Sequence, residues 1–387
     1  GLSGAPRERQ ARAIEAANRS DAPVFSLDAP SGADAGTGAL PGAAIRADVT
    51  VALGWPKLGC LLHPARAVTG RLIAVEIGFP DPGPDRFPAR LITPTWADRR
   101  RPARALATHK NAVGNALIVA GGDGMAGAAV LASRAAIRSG AGYVRVASTA
   151  SNRAILQEAV PDAVFVDRSD RRALLDAVAA AGSVVLGPGM GTGDEAASVA
   201  RAVFEAAADR PVLLDADVLT LSVGGGGPSV QDWARRGPTL VTPHPGEMAR
   251  LMGTDAEAVN AARIESAESF AASTGAVTLL KGAPSVVAHP DGRLLVDAMG
   301  SSDLAAAGMG DVLSGVIGSL FAQGLSVLDG AGAGLCWSGR SAWVAGKGAG
   351  LSPSDVVEAL PEVMAERGPG ATELDFPFIL LDLDPPR

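Results

Sequence analysis

AAGMGDVLSG, residues 306–315, decides how the chain is read. Two glycines, Gly308 and Gly310, stand ahead of Asp311, and an apolar periodic run continues from Val312 to Phe321. The pattern predicts a tight loop that opens directly into a buried helix. Small residues let a ligand approach the backbone, and the free N–H groups of a first helical turn favour anionic oxygens such as those of phosphate. A carboxylate at the mouth of an anion site repels its own ligand unless it serves the chemistry. Deprotonating a hydroxyl beside a phosphate is one such service. The same string also reads as an ordinary glycine turn with an aspartate capping a helix, so its surroundings must decide.

Working outward, short apolar strands alternate with helices. Residues 116–120 form a strand, 121–127 (GGDGMAG) a glycine-rich loop and 128–138 an alanine-rich helix. Further strands are expected at 143–147, at 184–186 before GPGMG, at 212–215 in LLDADVL, at 240–242 before PHPGE and at 277–280 before Lys281-Gly282. This alternation implies a mostly parallel sheet covered by helices on both faces. The glycine and polar motifs recur just after strands, which gathers them along the sheet edge where α/β proteins bind ligands. GGDGMAG lacks the GxGxxG spacing and reads equally as a plain strand–helix turn, whereas the proline of GPGMG fixes a turn whose glycines permit close backbone approach. His244 sits between two prolines in a stiff extended loop with Glu247 nearby, placed for substrate contact or for structural hydrogen bonding. Lys281 at a strand end reads as a phosphate partner or a snorkelling surface lysine. Asp215 and Asp217 read first as helix caps, otherwise as anchors of a helix start or as holding a metal through water.

The 387 residues carry 41 acidic and 34 basic side chains, a net charge of −7, which argues against a general nucleic-acid binder. Arg99, Arg100 and Arg101 form the one notable basic cluster. Aromatics make up only 4%, and the abundance of glycine (48) suits tightly packed helices on a sheet. Cys60 and Cys336 stand far apart, and His63, His109, His244 and His289 are scattered, so no disulfide framework or dedicated metal-ligand set is expected and a reducing cytoplasm is the default compartment. Asp311, Gln323 and Asp329 interrupt the most apolar region, so no membrane span and no membrane partner is expected.

Toward the amino terminus, residues 11–19 read as the end of a helix, and 23–27 as a strand leading into Asp28-Ala29-Pro30-Ser31-Gly32, which places a carboxylate at a sheet edge. Residues 49–53 and 72–77 are two more strands, and the proline-rich stretch 78–94 reads as a linker. The expected division is residues 1–95 and residues 96–387. The final stretch, ELDFPFILLDLDPPR (373–387), reads as a terminal strand or a disordered tail.

Taken in order, GGDGMAGAAVLASRAAIRSGAGYV, LGPGMG, VLLDADVL, TPHPGEMARL, LLKG and AGMGDVLSG resemble the ADP/ATP-dependent NAD(P)H-hydrate dehydratase family, a branch of the ribokinase-like fold. The resemblance runs from about His109 to Pro361. Residues 1–95, with SLDAPSGADAGTGALPG, RADVTVALGWPKLG and LIAVEIGFP, resemble the second half of an NAD(P)H-hydrate epimerase domain, itself a Rossmann-like α/β fold. The chain begins at Gly1 without the family's amino-terminal half, so the resemblance implies that this portion does not epimerise alone. Potassium is implied only for a complete epimerase domain, and Asp28 matches that domain's acid/base.

The resemblance implies a repair reaction on the hydrate of NADH or NADPH, with ADP or ATP as co-substrate and Mg²⁺ as charge partner. Asp311 would be the base, Ala128, Gly189, His244 and Asp311 would face the hydrate, and Lys281, Gly282, Ala283, Pro284, Ser285 and Gly310 would hold the nucleotide. Homo-oligomers are common in the family and are expected here. The chain departs from the family pattern at Met309, where a threonine is usual, and at Asp303, which adds a negative charge. A ribokinase-like alcohol kinase, or a nucleotide-binding module without turnover, are the alternative readings.

Overall fold

The computed structural model describes residues 4–80, 87, 89–104, 106–297, 300–365 and 378–380. They divide into two compact units, one formed by residues up to Phe87 together with Gly300, Ser301 and the strand Phe378–Leu380, the other by residues 89–297 and 302–365.

The first unit begins with the helix Glu8–Asn18 and carries strands β1 (Phe25–Leu27), β2 (Val49–Leu53) and β3 (Arg71–Val75), all parallel, with Phe378–Leu380 added antiparallel to β3. That last strand realises one of the two readings of the terminal stretch; residues 373–377 and 381–387 lie outside the described residues. Asp28 directly follows β1 in a left-handed conformation (φ 70°). That backbone is uncommon for a residue with a Cβ and marks local strain. Its Oδ1 pairs with Lys57 Nζ at 2.6 Å.

The second unit is built on a ten-stranded sheet. Its strands are β4 (Ala89–Ile92), β5 (Asn115–Val119), β6 (Tyr143–Ser148), β7 (Val164–Asp167), β8 (Ser183–Leu186), β9 (Val212–Leu214), β10 (Thr239–Val241), β11 (Val277–Leu280), β12 (Val286–Ala288) and β13 (Leu294–Asp297). The spatial order is β4-β13-β12-β11-β10-β9-β8-β5-β6-β7. From β7 to β11 every pairing is parallel; only β12 runs antiparallel to its neighbours. Strands β8 to β13 are buried along their whole length, as expected of a sheet covered on both faces. The expected α/β architecture is therefore present. The linker reading of residues 78–94 missed β4, because its four residues, ARLI, sit among prolines and gain their partner, β13, only in the tertiary fold.

Chain order reverses at β5. The chain runs from β5 outward to β6 and β7, then returns to β8 on the other side of β5. The carboxyl edge between β5 and β8 is therefore the topological switch point where α/β sheets hold ligands, and there the two loops are joined by Gly121 N–H, which donates to the Pro188 carbonyl at 2.9 Å.

The helix predicted after Asp311 spans Met309–Ala322, with residues 312–321 buried. It lies unusually close to its neighbours. A Cβ on Gly315 would stand 2.1 Å from the Ala132 carbonyl oxygen, and one on Gly318 would stand 2.2 Å from Val185 Cγ2. Ser183 Oγ donates to the Gly318 carbonyl at 2.7 Å, fastening the helix to β8. These glycines let the helix seat directly on the sheet and on the helix Ala126–Arg138, which fixes where its first turn, and Asp311, can be.

Candidate active site

Three loops meet above β9 to β11, each supplying one feature from just beyond its strand. Asp215 follows β9, His244 lies three residues past β10, Lys281 follows β11, and the helix start at Gly308 closes over them. Lys281 Nζ donates to Asp215 Oδ1 at 2.8 Å, and Ser314 Oγ donates to Asp215 Oδ2 at 2.7 Å. Both oxygens of a carboxylate that is only 2% exposed are therefore satisfied. The cap reading of Asp215 is corrected: it is a buried anchor for Lys281 and for the helix that bears Asp311. Lys281 in turn is a held charge, with its pKa above the usual ammonium value. Burial alone would lower it, and the carboxylates of Asp215, Glu247 and Asp311 outweigh that effect.

Gly308 takes the left-handed conformation (φ 92°) that turns the chain into the helix. Val312 N–H donates to the Gly308 carbonyl, while the amides of Gly310 and Asp311 fall in the first turn, where no intrahelical carbonyl is in reach. A Cβ on Gly310 would sit 3.4 Å from Lys281 Nζ, so the helix start and the ammonium share one small space. The Asp311 carboxyl is pushed up to about 6, first by burial and then by the charges of Asp215 and Asp217, against the opposing pull of Lys281. A carboxylate that ionises near neutrality beside a cation and free amides can accept a hydroxyl proton and face a transferring anionic group.

Five of the six nucleotide residues expected from sequence, Lys281 to Ser285, form one loop, and the sixth, Gly310, lies in the first turn of the helix Met309–Ala322. Ser285 Oγ donates to the Gly282 carbonyl at 3.0 Å and accepts from Gly282 N–H at 3.2 Å. Gly282 and Ala283 are exposed and Pro284 is buried. His244 opens the helix Pro245–Met252 as its cap: Nδ1 accepts from the amides of Gly246 and Glu247 at 3.0 and 3.3 Å, and Glu247 Oε2 accepts from His244 N–H at 2.8 Å. The structural reading of this histidine is met at Nδ1, and its half-exposed ring places Nε2 near Glu247 Oε1 at 3.5 Å.

At the switch point a cavity of about 230 Å³ is lined by Gly122, Met125, Arg168, Gly189, Glu195 and Asp217, among others. Gly189 is in the left-handed region (φ 55°), and a Cβ there would meet Ala128 Cβ at 2.9 Å, which brings together two residues expected to face the hydrate. Asp217 Oδ2 accepts from Gly191 N–H at 2.7 Å, tying the loop after β8 to the loop after β9. Arg168, 4% exposed, was not singled out in the sequence. It donates to the carbonyls of Met190 (3.0 Å) and Gly121 (3.4 Å) and forks onto Glu195 at 3.1 and 3.2 Å, tying the two glycine loops together from their buried side. Its signal was the short run VFVD before it, which was not recognised as β7.

Among the described residues no three His, Cys, Asp or Glu side chains converge to hold a metal. The charges of Asp215 and Asp217 add to burial in raising the Asp311 carboxyl, an excess of negative charge that a hard cation held largely by phosphate oxygens would offset. Cys60 and Cys336 are buried thiols not joined in a disulfide, and no described helix is long and apolar enough to cross a membrane.

Comparison with known proteins agrees with this geometry. Residues 116–362 match the model of a family described as NAD(P)H-hydrate dehydratase, and residues 1–59 match that of the YjeF-related protein N-terminus. The bifunctional NAD(P)H-hydrate repair enzyme of Moorella thermoacetica is 33% identical over 94% of this chain and 71% of its own length. That of Escherichia coli is 38% identical over 88% of this chain and 65% of its own length. The crystal structure of the ADP/ATP-dependent NAD(P)H-hydrate dehydratase of Bacillus subtilis, co-crystallised with ATP and Mg²⁺, superposes with a TM-score of 0.59 at 28% identity, covering 70% of this chain and 97% of the other. With a family model matched over well more than half its residues and its carboxylate, ammonium and glycine loops gathered at one sheet edge, the chain belongs to the NAD(P)H-hydrate dehydratase family.

Proposed function

We propose that the second unit dehydrates NAD(P)H hydrate with ADP or ATP as phosphoryl donor. The observation that carries this is the Asp311 carboxyl, raised to about 6 at a helix start that it shares with the Lys281 ammonium and the Gly310 amide. Hydroxide is a poor leaving group and phosphate a good one. Asp311 takes the proton of the ring hydroxyl as its oxygen bonds to the terminal phosphorus of the nucleotide, which releases AMP from ADP or ADP from ATP. The carbon–oxygen bond then breaks, phosphate leaves with the bonding pair, and the ring nitrogen lone pair compensates. Loss of a proton from the adjacent carbon restores the dihydropyridine. A well-placed base contributes about 10²–10⁴ in rate, and amides at the helix start stabilise the charge of the transferring group. Mg²⁺ would supply further charge neutralisation, held by phosphate with Asp311 and Asp217 near it.

In this reading Gly189, Ala128 and His244 receive the hydrate, and Lys281 to Ser285 with Gly310 receive the nucleotide. Residues 89–297 and 302–365 form the dehydratase domain, which assembles as a homo-oligomer in the cytoplasm; the expected span 96–387 differs by β4, which pairs with β13, and by Phe378–Leu380, which pairs with β3. Residues 1–95 are epimerase-related, with Asp28 as the acid/base remnant; potassium belongs only to a complete epimerase. The expectation that this portion is inert finds no support in the relatives, which are named bifunctional, and NAD(P)H-hydrate epimerisation is to be assayed directly.

The test is incubation of the purified chain with NADH hydrate or NADPH hydrate, Mg²⁺ and either ADP or ATP. Recovery of reduced-nicotinamide absorbance with stoichiometric phosphate release is expected, and the Asp311→Asn variant should lose it. A stable phosphorylated alcohol without phosphate release would identify a kinase instead. Recovery with neither nucleotide would refute the assignment.

A further inference from the structure

Arg263, the first residue of the helix Arg263–Thr274, is 7% exposed and lies against the loop formed by Lys281 to Ser285. Its Nη2 donates to the Lys281 carbonyl at 2.8 Å and to the Leu280 carbonyl at 3.4 Å, its Nε to the Pro284 carbonyl at 3.2 Å, and its Nη1 to Asn260 Oδ1 at 2.7 Å. The fit is close enough that a Cβ on Gly282 would stand 2.5 Å from Nη2. All four acceptors are uncharged, and among the described residues no carboxylate pairs with this guanidinium. A buried cation without a counter-ion is costly, so its retention beneath an exposed loop needs a reason.

We propose that Arg263 is a positioning residue for the nucleotide, shaping and polarising the loop from its buried side so that the opposite side accepts phosphate. In a trans peptide the carbonyl and the N–H point in opposite directions. With the Lys281 and Pro284 carbonyls drawn onto the guanidinium, the N–H groups of the same peptides, those of Gly282 and Ser285, are turned away from it; that of Gly282 closes the loop on Ser285 Oγ at 3.2 Å, and that of Ser285 is the donor offered to the opposite side. Hydrogen bonding to a cation withdraws charge from each carbonyl and makes the N–H of the same peptide a stronger donor. The anionic nucleotide then supplies, across one layer of backbone, the countercharge that Arg263 lacks. Burial lowers the Arg263 pKa only to about 10, so the cation persists at working pH.

This inference rests on reading Lys281 to Ser285 as the nucleotide loop, and it is tested by binding rather than turnover. Calorimetry with ADP and ATP is carried out on the full chain as wild type, Arg263→Lys and Arg263→Met. Lysine keeps the charge but not the fork, so roughly tenfold weaker binding is expected for it and about a hundredfold for methionine. The KM for the hydrate at saturating nucleotide should change less than about twofold, since a positioning role confined to one substrate splits the two constants. Nucleotide-induced thermal stabilisation should shrink in the same order. If the methionine variant does not fold, the lysine variant carries the test. Unchanged nucleotide affinity in a folded lysine variant, or an equal rise in both constants, would overturn the inference, as would a wild type that binds neither nucleotide. A wild type that binds nucleotide with the expected losses in the variants, yet recovers no NADH, would sustain the role of Arg263 while refuting the dehydratase assignment.

Discussion

Replacing Asp311 by asparagine separates catalytic from structural consequences in opposite directions. The carboxyl ionises at about 6 rather than at its ordinary 3.8, chiefly because burial disfavours its charge. That displacement corresponds to about 3 kcal/mol at about 1.36 kcal/mol per pH unit, an upper bound on what the charge costs the folded state. The folded chain binds a proton more tightly than the unfolded chain does, so it loses stability as pH rises from about 4 through about 6 and stays destabilised above. Asparagine, near in shape and uncharged, escapes this loss. Asp311→Asn should therefore match wild type at low pH and exceed it by up to about 3 kcal/mol at neutral pH, while kcat falls by about 10²–10⁴. Urea unfolding at a series of pH values, followed through the emission of the buried Trp233 and Trp337, measures the first effect. The pH profile of wild-type kcat/KM measures the ionisation itself and should fall with a single proton below about pH 6, because that ratio reports the free enzyme. A stability difference that does not vary with pH, or an asparagine variant weaker than wild type at neutrality, would show that the Asp311 charge is not strained and would remove the physical basis for its role as base.

Lys281→Met should cost about 3–5 kcal/mol, because it leaves Asp215 buried and unpaired; a melting temperature equal to that of wild type would show that Ser314 alone suffices. Gly315→Ala sets two effects against each other. Alanine favours a helix interior by about 1 kcal/mol over glycine, but its Cβ would stand 2.1 Å from the Ala132 carbonyl oxygen, and such overpacking costs about 1–3 kcal/mol. A net loss of stability with reduced kcat is expected, and a stabilised, fully active variant would show that the helix position is not what places Asp311. At His244, asparagine preserves an N-cap and alanine does not. Alanine should lose about 0.5–2 kcal/mol of stability and asparagine little, while both should raise the KM for the hydrate; an unchanged KM for asparagine would reduce His244 to a cap.

Legibility followed locality. The loop-to-helix start at Gly308, the strands ending at Leu280 and Leu186, and the stiff loop that sets His244 beside Glu247 are written in adjacent residues, and all were readable, although the reciprocal cap these two form was not. What lay hidden depends on pairs distant in sequence. Asp215 reads as a cap until Lys281 and Ser314, 66 and 99 residues away, are seen to occupy its two oxygens. Ser314 did offer a signal, since it follows Asp311 by three residues and shares its helix face. Arg168 and Arg263 offered less, because an arginine that braces loops through backbone carbonyls leaves no pattern in the residues it touches. Strands β12 and β13, short and joined antiparallel, were obscured by the expectation of strict strand–helix alternation.

The departures from the family pattern take on a more definite meaning in this geometry. Met309 is the first residue of the helix, and its own N–H donates to the Ala306 carbonyl at 3.3 Å, so it is not among the free amides of the turn. The amides that remain belong to Gly310 and Asp311, and they are available whatever side chain precedes them. Exchanging a hydroxyl for a thioether at this position removes one possible side-chain donor but leaves the helix start, the Lys281 ammonium and the base in place. A lost hydrogen bond to a charged group is worth about 1.5–3 kcal/mol, or about one to two powers of ten in rate. Met309→Thr should then raise kcat/KM for the nucleotide by up to that factor without shifting the ionisation near pH 6, because that ionisation is governed by burial and by Asp215, Lys281 and Asp217 rather than by residue 309.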